Sequence, residues 1–185
     1  MLGNDIVDLN RAKVESNWKR AGYFAKIFNA EEQAQVVDSI APEKMIWLLW
    51  SMKEAAYKII NRMSLQRFNS PLKFSCKNLL LADKNMGFVK FEDKIFLTKS
   101  VINENFIHTI ASPKANTLSK IQTCYLNNND NYVLAFNTQS ANYFLEKNGN
   151  GIPNLINKTS GKSYDASVSH HGKYLAIIFP SNLKI

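Results

Sequence analysis

Cysteine is scarce in this chain. Cys76 and Cys124 are the only two, far apart and each set in an apolar, strand-like run. They offer no metal-binding spacing and no disulfide framework, so buried reduced thiols are expected, which suits the cytoplasm. Long apolar runs are lacking too, and nothing in the sequence is long enough to span a bilayer. The N-terminal Met1-Leu2-Gly3-Asn4-Asp5 has neither the basic region nor the apolar core of a signal peptide. Short-period repeats and low-complexity segments are absent beyond an Asn-rich run at 127–131. Acid is outnumbered: 15 Asp and Glu against 23 Lys and Arg give a formal charge of +8. That excess favours anionic partners, but charge alone does not choose between nucleic acid, phosphate-rich cofactors, acidic proteins and anionic membranes.

What is present suits a globular chain of 185 residues, 45% apolar and 11% aromatic, forming one domain or two small halves. Gly3 to Leu9 reads as a short strand, and residues 9–28 as largely helical. Asn29 followed by Glu32 is a capping box, which predicts a helix to about Ile40. Pro42 opens a long helix to about Met63. Period-two patterning then predicts strands at 68–81, 87–90, 94–99 and 105–112, with a hairpin turn within 90–95. A small polar linker at Pro113 to Thr117 marks the internal boundary. Beyond it the pattern predicts strands at 120–126 and 132–136, a helix at 139–147, a loop at 148–165 and a last strand at 174–179.

The long helix is apolar nearly all round, from Met45 to Met63, and such a helix is normally buried. One polar stripe survives on it: Ser51, Glu54, Lys58, then Asn61 or Arg62, at three- and four-residue spacing. On a solvated helix Glu54 and Lys58 would be an ordinary i,i+4 ion pair. Amid apolar neighbours a lone carboxylate or ammonium costs several kcal/mol, of that order. The stripe therefore faces its own salt bridge or a charged ligand. Asp5 and Asp8 in the first strand would point to opposite faces unless the chain bends. Ser167-Val168-Ser169-His170-His171-Gly172-Lys173 gathers donors suited to phosphate oxygens. His108, inside a strand-like run, reads as structural.

Together these segments resemble the 4'-phosphopantetheinyl transferase superfamily, in its holo-acyl-carrier-protein synthase-like branch. The family's Gly-x-Asp-Ile element appears as Gly3-Asn4-Asp5-Ile6. Its Trp-x-x-Lys-Glu-Ala element appears as Trp50-Ser51-Met52-Lys53-Glu54-Ala55, with Lys58 four residues after the Glu. Its Ser-x-Ser-His element is Ser167-Val168-Ser169-His170, and Phe28-Asn29-Ala30-Glu31-Glu32 resembles its Phe-Ser/Thr-x-x-Glu segment. The resemblance implies an α+β fold of two small antiparallel-sheet-plus-helix halves, related by pseudo-two-fold symmetry. It implies Mg-dependent transfer of the phosphopantetheine arm of coenzyme A to a serine of a carrier protein, releasing adenosine 3',5'-bisphosphate. Asp5 and Glu54 would bind Mg2+. Lys58 would reach the coenzyme A phosphates and could assist proton removal, with Glu54 the competing base. Ser169 and His170 would hold the adenosine-side phosphates.

The chain also departs from the family pattern. Longer members often carry Asp-x-Glu, but the third acidic position is Val7 here; Asp8 lies where shorter members have an acid and would stand behind the metal ligands. The Gly-Lys-Pro element is weakened to Gly151-Ile152-Pro153, for which Lys158, Lys162 or Lys173 would compensate. Residues 1–112 resemble a complete second half and 113–185 an abbreviated first half, in swapped chain order. A monomer with its site between the halves is expected, a trimer being the alternative. The +8 charge suits an acidic acyl or peptidyl carrier protein. A non-catalytic relative that binds coenzyme A or a carrier is the competing function. A nucleic-acid module fits poorly, since the basic residues are dispersed.

Overall fold

The computed structural model describes residues 1–81 and 84–183; the last two residues of the 113–185 segment lie outside them. In chain order the first part comprises β1 (Gly3–Asp8), α1 (Leu9–Glu15), α2 (Tyr23–Ile27), α3 (Ala30–Val37) and α4 (Pro42–Ser64). A meander follows: β2 (Phe74–Leu81), β3 (Lys84–Phe91), β4 (Lys94–Ile102) and β5 (Phe106–Ser112). The apolar circumference of α4 cannot be solvated, and the first core is built round it. Pro42 starts the helix, and Leu65, in the left-handed region at φ 58, ends it by donating its N–H to the Asn61 carbonyl. Leu49, Ala55, Ala56 and Ile59 are completely buried on it. Each large apolar side chain so buried contributes about 1.5–3 kcal/mol.

Helix α4 lies on a five-stranded antiparallel sheet of order β1-β5-β4-β3-β2. The first strand thus pairs with the last, Asp5 opposite Thr109 and Ile6 opposite His108. Gly3 lets β1 approach α4 closely, because a Cβ there would run into the Ala55 carbonyl oxygen. That approach brings Asp5 beside the polar stripe of the helix.

The second part comprises α5 (Ala115–Leu118), β6 (Ile121–Asn127), α6 (Tyr132–Gln139), β7 (Tyr143–Lys147), β8 (Pro153–Asn157), β9 (Ser163–Asp165), β10 (Ser167–His171) and β11 (Tyr174–Pro180). It forms two three-stranded antiparallel sheets, β10-β11-β6 and β7-β8-β9, round a second core that includes Phe136, Leu145, Leu155, Ile177 and Phe179. Strand β10 packs alongside β1, so the two parts meet at a seam. The architecture is the expected mixture of helices and antiparallel sheets.

Several local expectations are corrected. Residues 132–136 are helical, not a strand: Tyr132 and Phe136, one turn apart, are the pair that α6 buries. The expected helix at 139–147 is instead mostly β7, where Tyr143 and Leu145 alternate inward. Short apolar runs fit either period, and packing chose. The 148–165 loop holds β8 and β9, and the donor-rich run at 167–171 is a strand. Within 9–28 only α1 and α2 are helical; Gly22, at φ 74, sets the start of α2.

Candidate functional site

The polar stripe of α4 faces the seam. Ser51 donates to Thr109 Oγ1 at 2.5 Å, anchoring the helix to β5. One turn on, Glu54 comes near Asp5, and burial and the Asp5 charge together push its carboxyl up to about 7. Lys58 opposes that shift. Burial likewise raises Asp5, again against the pull of Lys58. Lys58 closes its ion pair with Asp5 across the strand, at 3.6 Å, and not with Glu54 along the helix. Its ammonium also donates to the Asn4 carbonyl at 2.7 Å and the Val168 carbonyl at 3.2 Å. Arg62, one turn further, donates to the Pro153 and Ala166 carbonyls and to Asn154 Oδ1. From Lys58 to Arg62 the stripe is therefore a contact line between the parts, and Glu54, one turn before it, faces Asp5 of β1.

Asp5 and Glu54 are a donor set that fits a hard divalent cation. Carboxylate oxygens are what Mg2+ prefers, and a cation between the two would relieve the repulsion that raises Glu54. Among the described residues no group of three or more His, Cys, Asp or Glu is placed to hold a metal ion. Val7, at the third acidic position of longer members, is buried in the core. Two protein ligands would leave the rest of an octahedron to phosphate oxygens and water.

Asp8 has a different task. Burial raises its carboxyl, but N–H donors from Arg11, Lys173 and Asn10 outweigh that and hold it below its ordinary value. It caps α1 and fastens the turn after β10. The strand β10 then sorts the Ser-x-Ser-His element. Ser167 Oγ accepts from Asn4 N at 3.2 Å, and Ser169 Oγ from Asn4 Nδ2 at 2.8 Å. Ser169 is only 3% exposed, whereas its neighbour His170 is exposed. His170 opens on a groove of 840 Å³ whose walls include Arg11, Asn128, His171 and Lys173. Partial burial, then Lys58, Lys147 and His171, hold His170 below its ordinary value. Seam and groove thus share β10: Val168 meets Lys58, and His170 lies within the field of the same ammonium.

The weakened Gly151-Ile152-Pro153 borders a 140 Å³ cavity that Lys58 and Arg62 also line. Of the three lysines considered as compensation, Lys158 donates to the Ser140 carbonyl at 2.7 Å, Lys162 lies over the Tyr164 ring, and Lys173 borders the large groove. His108 is structural in placement: buried, with burial and then Lys58 pushing it down to about 3.

Sequence reasoning missed Lys53. It lies off the stripe, on the other side of α4, and is 2% exposed. Its ammonium donates to Glu32 Oε2 at 2.7 Å and to the carbonyls of Ile27, Pro71 and Phe74. Glu32, expected as a capping residue and as the acid of the Phe-Ser/Thr-x-x-Glu-like segment, also accepts from Cys76 N at 2.6 Å. The signal that could have found the pair was a lysine amid an apolar helix face with no acid four residues away. Asn4 was missed as well; with Asp5 and Asp8 in the same strand, no local signal set it apart.

Comparison with known proteins bears on this geometry. A family model described as the 4'-phosphopantetheinyl transferase superfamily matches residues 1–111 of the 185. The match contains Asp5, Glu54 and Lys58 and ends before Ser169 and His170. No curated protein matches the chain.

Proposed function

The chain belongs to the 4'-phosphopantetheinyl transferase superfamily, and from that premise we propose that it moves the phosphopantetheine arm of coenzyme A to a serine of an acidic carrier protein, in the manner of a holo-acyl-carrier-protein synthase. The observation that carries the reading is the meeting of Asp5, Glu54 and Lys58, with Lys58 reaching Val168 of the second part and lying close enough to act on His170 in the neighbouring groove. The carrier serine Oγ forms a bond to the coenzyme A phosphorus that bears the arm. The bond from that phosphorus to the bridging oxygen breaks, and adenosine 3',5'-bisphosphate leaves. Glu54 is the proposed acceptor of the serine proton, its carboxylate kept ionised by the neighbouring Lys58 and by a bound cation, with Lys58 the competing group. Lys58, already directed at carbonyl and carboxylate oxygens, donates to phosphate oxygens. His170, open to the groove, holds the adenosine-side phosphates, with Ser169 behind it. Asp5 and Glu54 would hold Mg2+, which would supply neutralisation of charge developing on the phosphates.

The +8 charge supports an acidic partner through steering. Two cores meeting at one seam support a monomer of two pseudo-symmetric halves, 1–112 and 113–185, with the site between them. Light scattering on the eluting protein is expected to give the mass of one chain; an obligate trimer that loses activity on dissociation would count against it. Free, unpaired thiols support a reducing compartment such as the cytoplasm. Among the described residues no helix is long and apolar enough to cross a membrane.

The test is mass spectrometry of an apo carrier protein incubated with coenzyme A, Mg2+ and this protein. A gain of the phosphopantetheine mass is expected. Coenzyme A bound without transfer to any of several acidic carriers would favour a non-catalytic binding relative, the reading that the lysine missing from Gly151-Ile152-Pro153 supports.

A further inference from the structure

Asn4 stands where the two parts grip each other. Its side chain is completely buried. Nδ2 lies 2.8 Å from Ser169 Oγ, 3.1 Å from His108 Nε2 and 3.2 Å from the Ala176 carbonyl oxygen. Its backbone N–H donates to Ser167 Oγ, and its carbonyl accepts from Lys58 Nζ at 2.7 Å. One residue thus joins β1 to β10, β11, β5 and α4, and the next residue is Asp5. The Ala176 carbonyl fixes the amide's orientation, because the opposite one would set two oxygens face to face. Oδ1 is left with no partner among the described residues, which costs about 1–3 kcal/mol. A seam that accepts this cost keeps the amide for its Nδ2 contacts.

We propose that Asn4 is a positioning residue: gripped by Ser169, His108 and Ala176, it sets the places of Asp5 and Lys58, so that docking of the second part completes the reaction centre. Ser169 then acts through Asn4 and not by touching the substrate. The inference rests on Asp5 and Lys58 being part of that centre, as proposed above. It also assigns a tautomer: Asn4 Nδ2 shares its two protons among three neighbours and cannot accept one, so His108 Nε2 is unprotonated, and His108 carries its proton on Nδ1 and donates it to Tyr125 OH at 2.9 Å.

The experiment is a double-mutant cycle of Asn4→Ala and Ser169→Ala, read in transfer kinetics and in thermal unfolding, with nitrogen NMR of His108. Misplacement of the reacting groups is expected to lower kcat about tenfold to a hundredfold in each single variant. The double variant should be no worse than Asn4→Ala alone, since both changes break one contact. Ser169→Thr, which keeps the hydroxyl, should restore the rate. Losses that multiply, or a Ser169→Ala effect confined to the KM for coenzyme A, would overturn the proposal. Should Asn4→Ala fail to fold, Ser169→Ala and Ser169→Thr carry the same decision. If the parent itself transfers nothing, the functional reading fails, and the His108 signature and the cycle in unfolding temperature still judge the grip. An Nε2-protonated His108 in the parent, or additive unfolding shifts, would overturn it.

Discussion

Glu54→Gln is expected to lower the transfer rate about 10²–10⁴-fold, as loss of a positioned proton acceptor does, while making the protein more resistant to heat at neutral pH. The two effects come from one carboxyl. Burial and Asp5 raise it from 4.5 to about 7 in the folded state. Between those values the native protein holds a proton that the unfolded chain has released. Stability therefore falls as pH rises through this window and stays at the lower level above it. The charged, partly exposed carboxyl destabilises the fold by about 1–3 kcal/mol above pH 7. Glutamine removes that burden, so the gain in unfolding temperature should be present at pH 8 and nearly vanish at pH 4. Asp5→Asn should lose turnover similarly, since it too is raised by burial and stands against Glu54. A divalent cation should raise the unfolding temperature of the parent and do so less in either variant. Equal collapse of folding in both variants would return the stripe to a purely structural role.

Lys53→Met should act the other way, on stability first. The ammonium is buried among four oxygens, one of them the equally buried Glu32 carboxylate. Removing it leaves that buried carboxylate without its counter-charge and takes a donor from three carbonyls, a loss of about 3–5 kcal/mol. For a chain of this size the unfolding temperature should drop by roughly 10 °C. Lys53→Arg should rescue little, because a planar guanidinium cannot replace a compact ammonium inside that ring of acceptors. Calorimetry or circular dichroism on heating reads both. An unfolding temperature within a degree or two of the parent would mean that the pair is no staple. Two lysines five residues apart on one helix are thus separable: Lys53 by melting temperature, Lys58 by turnover.

Much of this was legible in the chain. The apolar circumference of α4 announced burial, so the carboxylate and amine on its stripe had to be explained: Lys58 is at the seam, and Glu54 stands against Asp5. Period-two patterning predicted the strands of the first sheet, although β2 begins later and β3 runs longer than expected. The capping box at Asn29 and Glu32 is present. In each case the signal is local, because a helix face or strand alternation is written within one or two turns of chain.

Other features came only with the tertiary structure. The partner of Lys58 proved to be Asp5, 53 residues away in sequence, and not Glu54 on its own helix. The helix at 132–139 and the strand at 143–147 were exchanged in the sequence reading, because runs this short satisfy both periods until a core selects one. The Ser-x-Ser-His element was read as one set of phosphate donors. The strand at 167–171 instead turns Ser169 inward to Asn4 and His170 outward to the groove. Sequence by itself determined which groups had to be buried or charged together. Their partners, separated by up to 172 positions at the seam, were decided by packing, since no local rule relates residues that meet only when two cores close on each other.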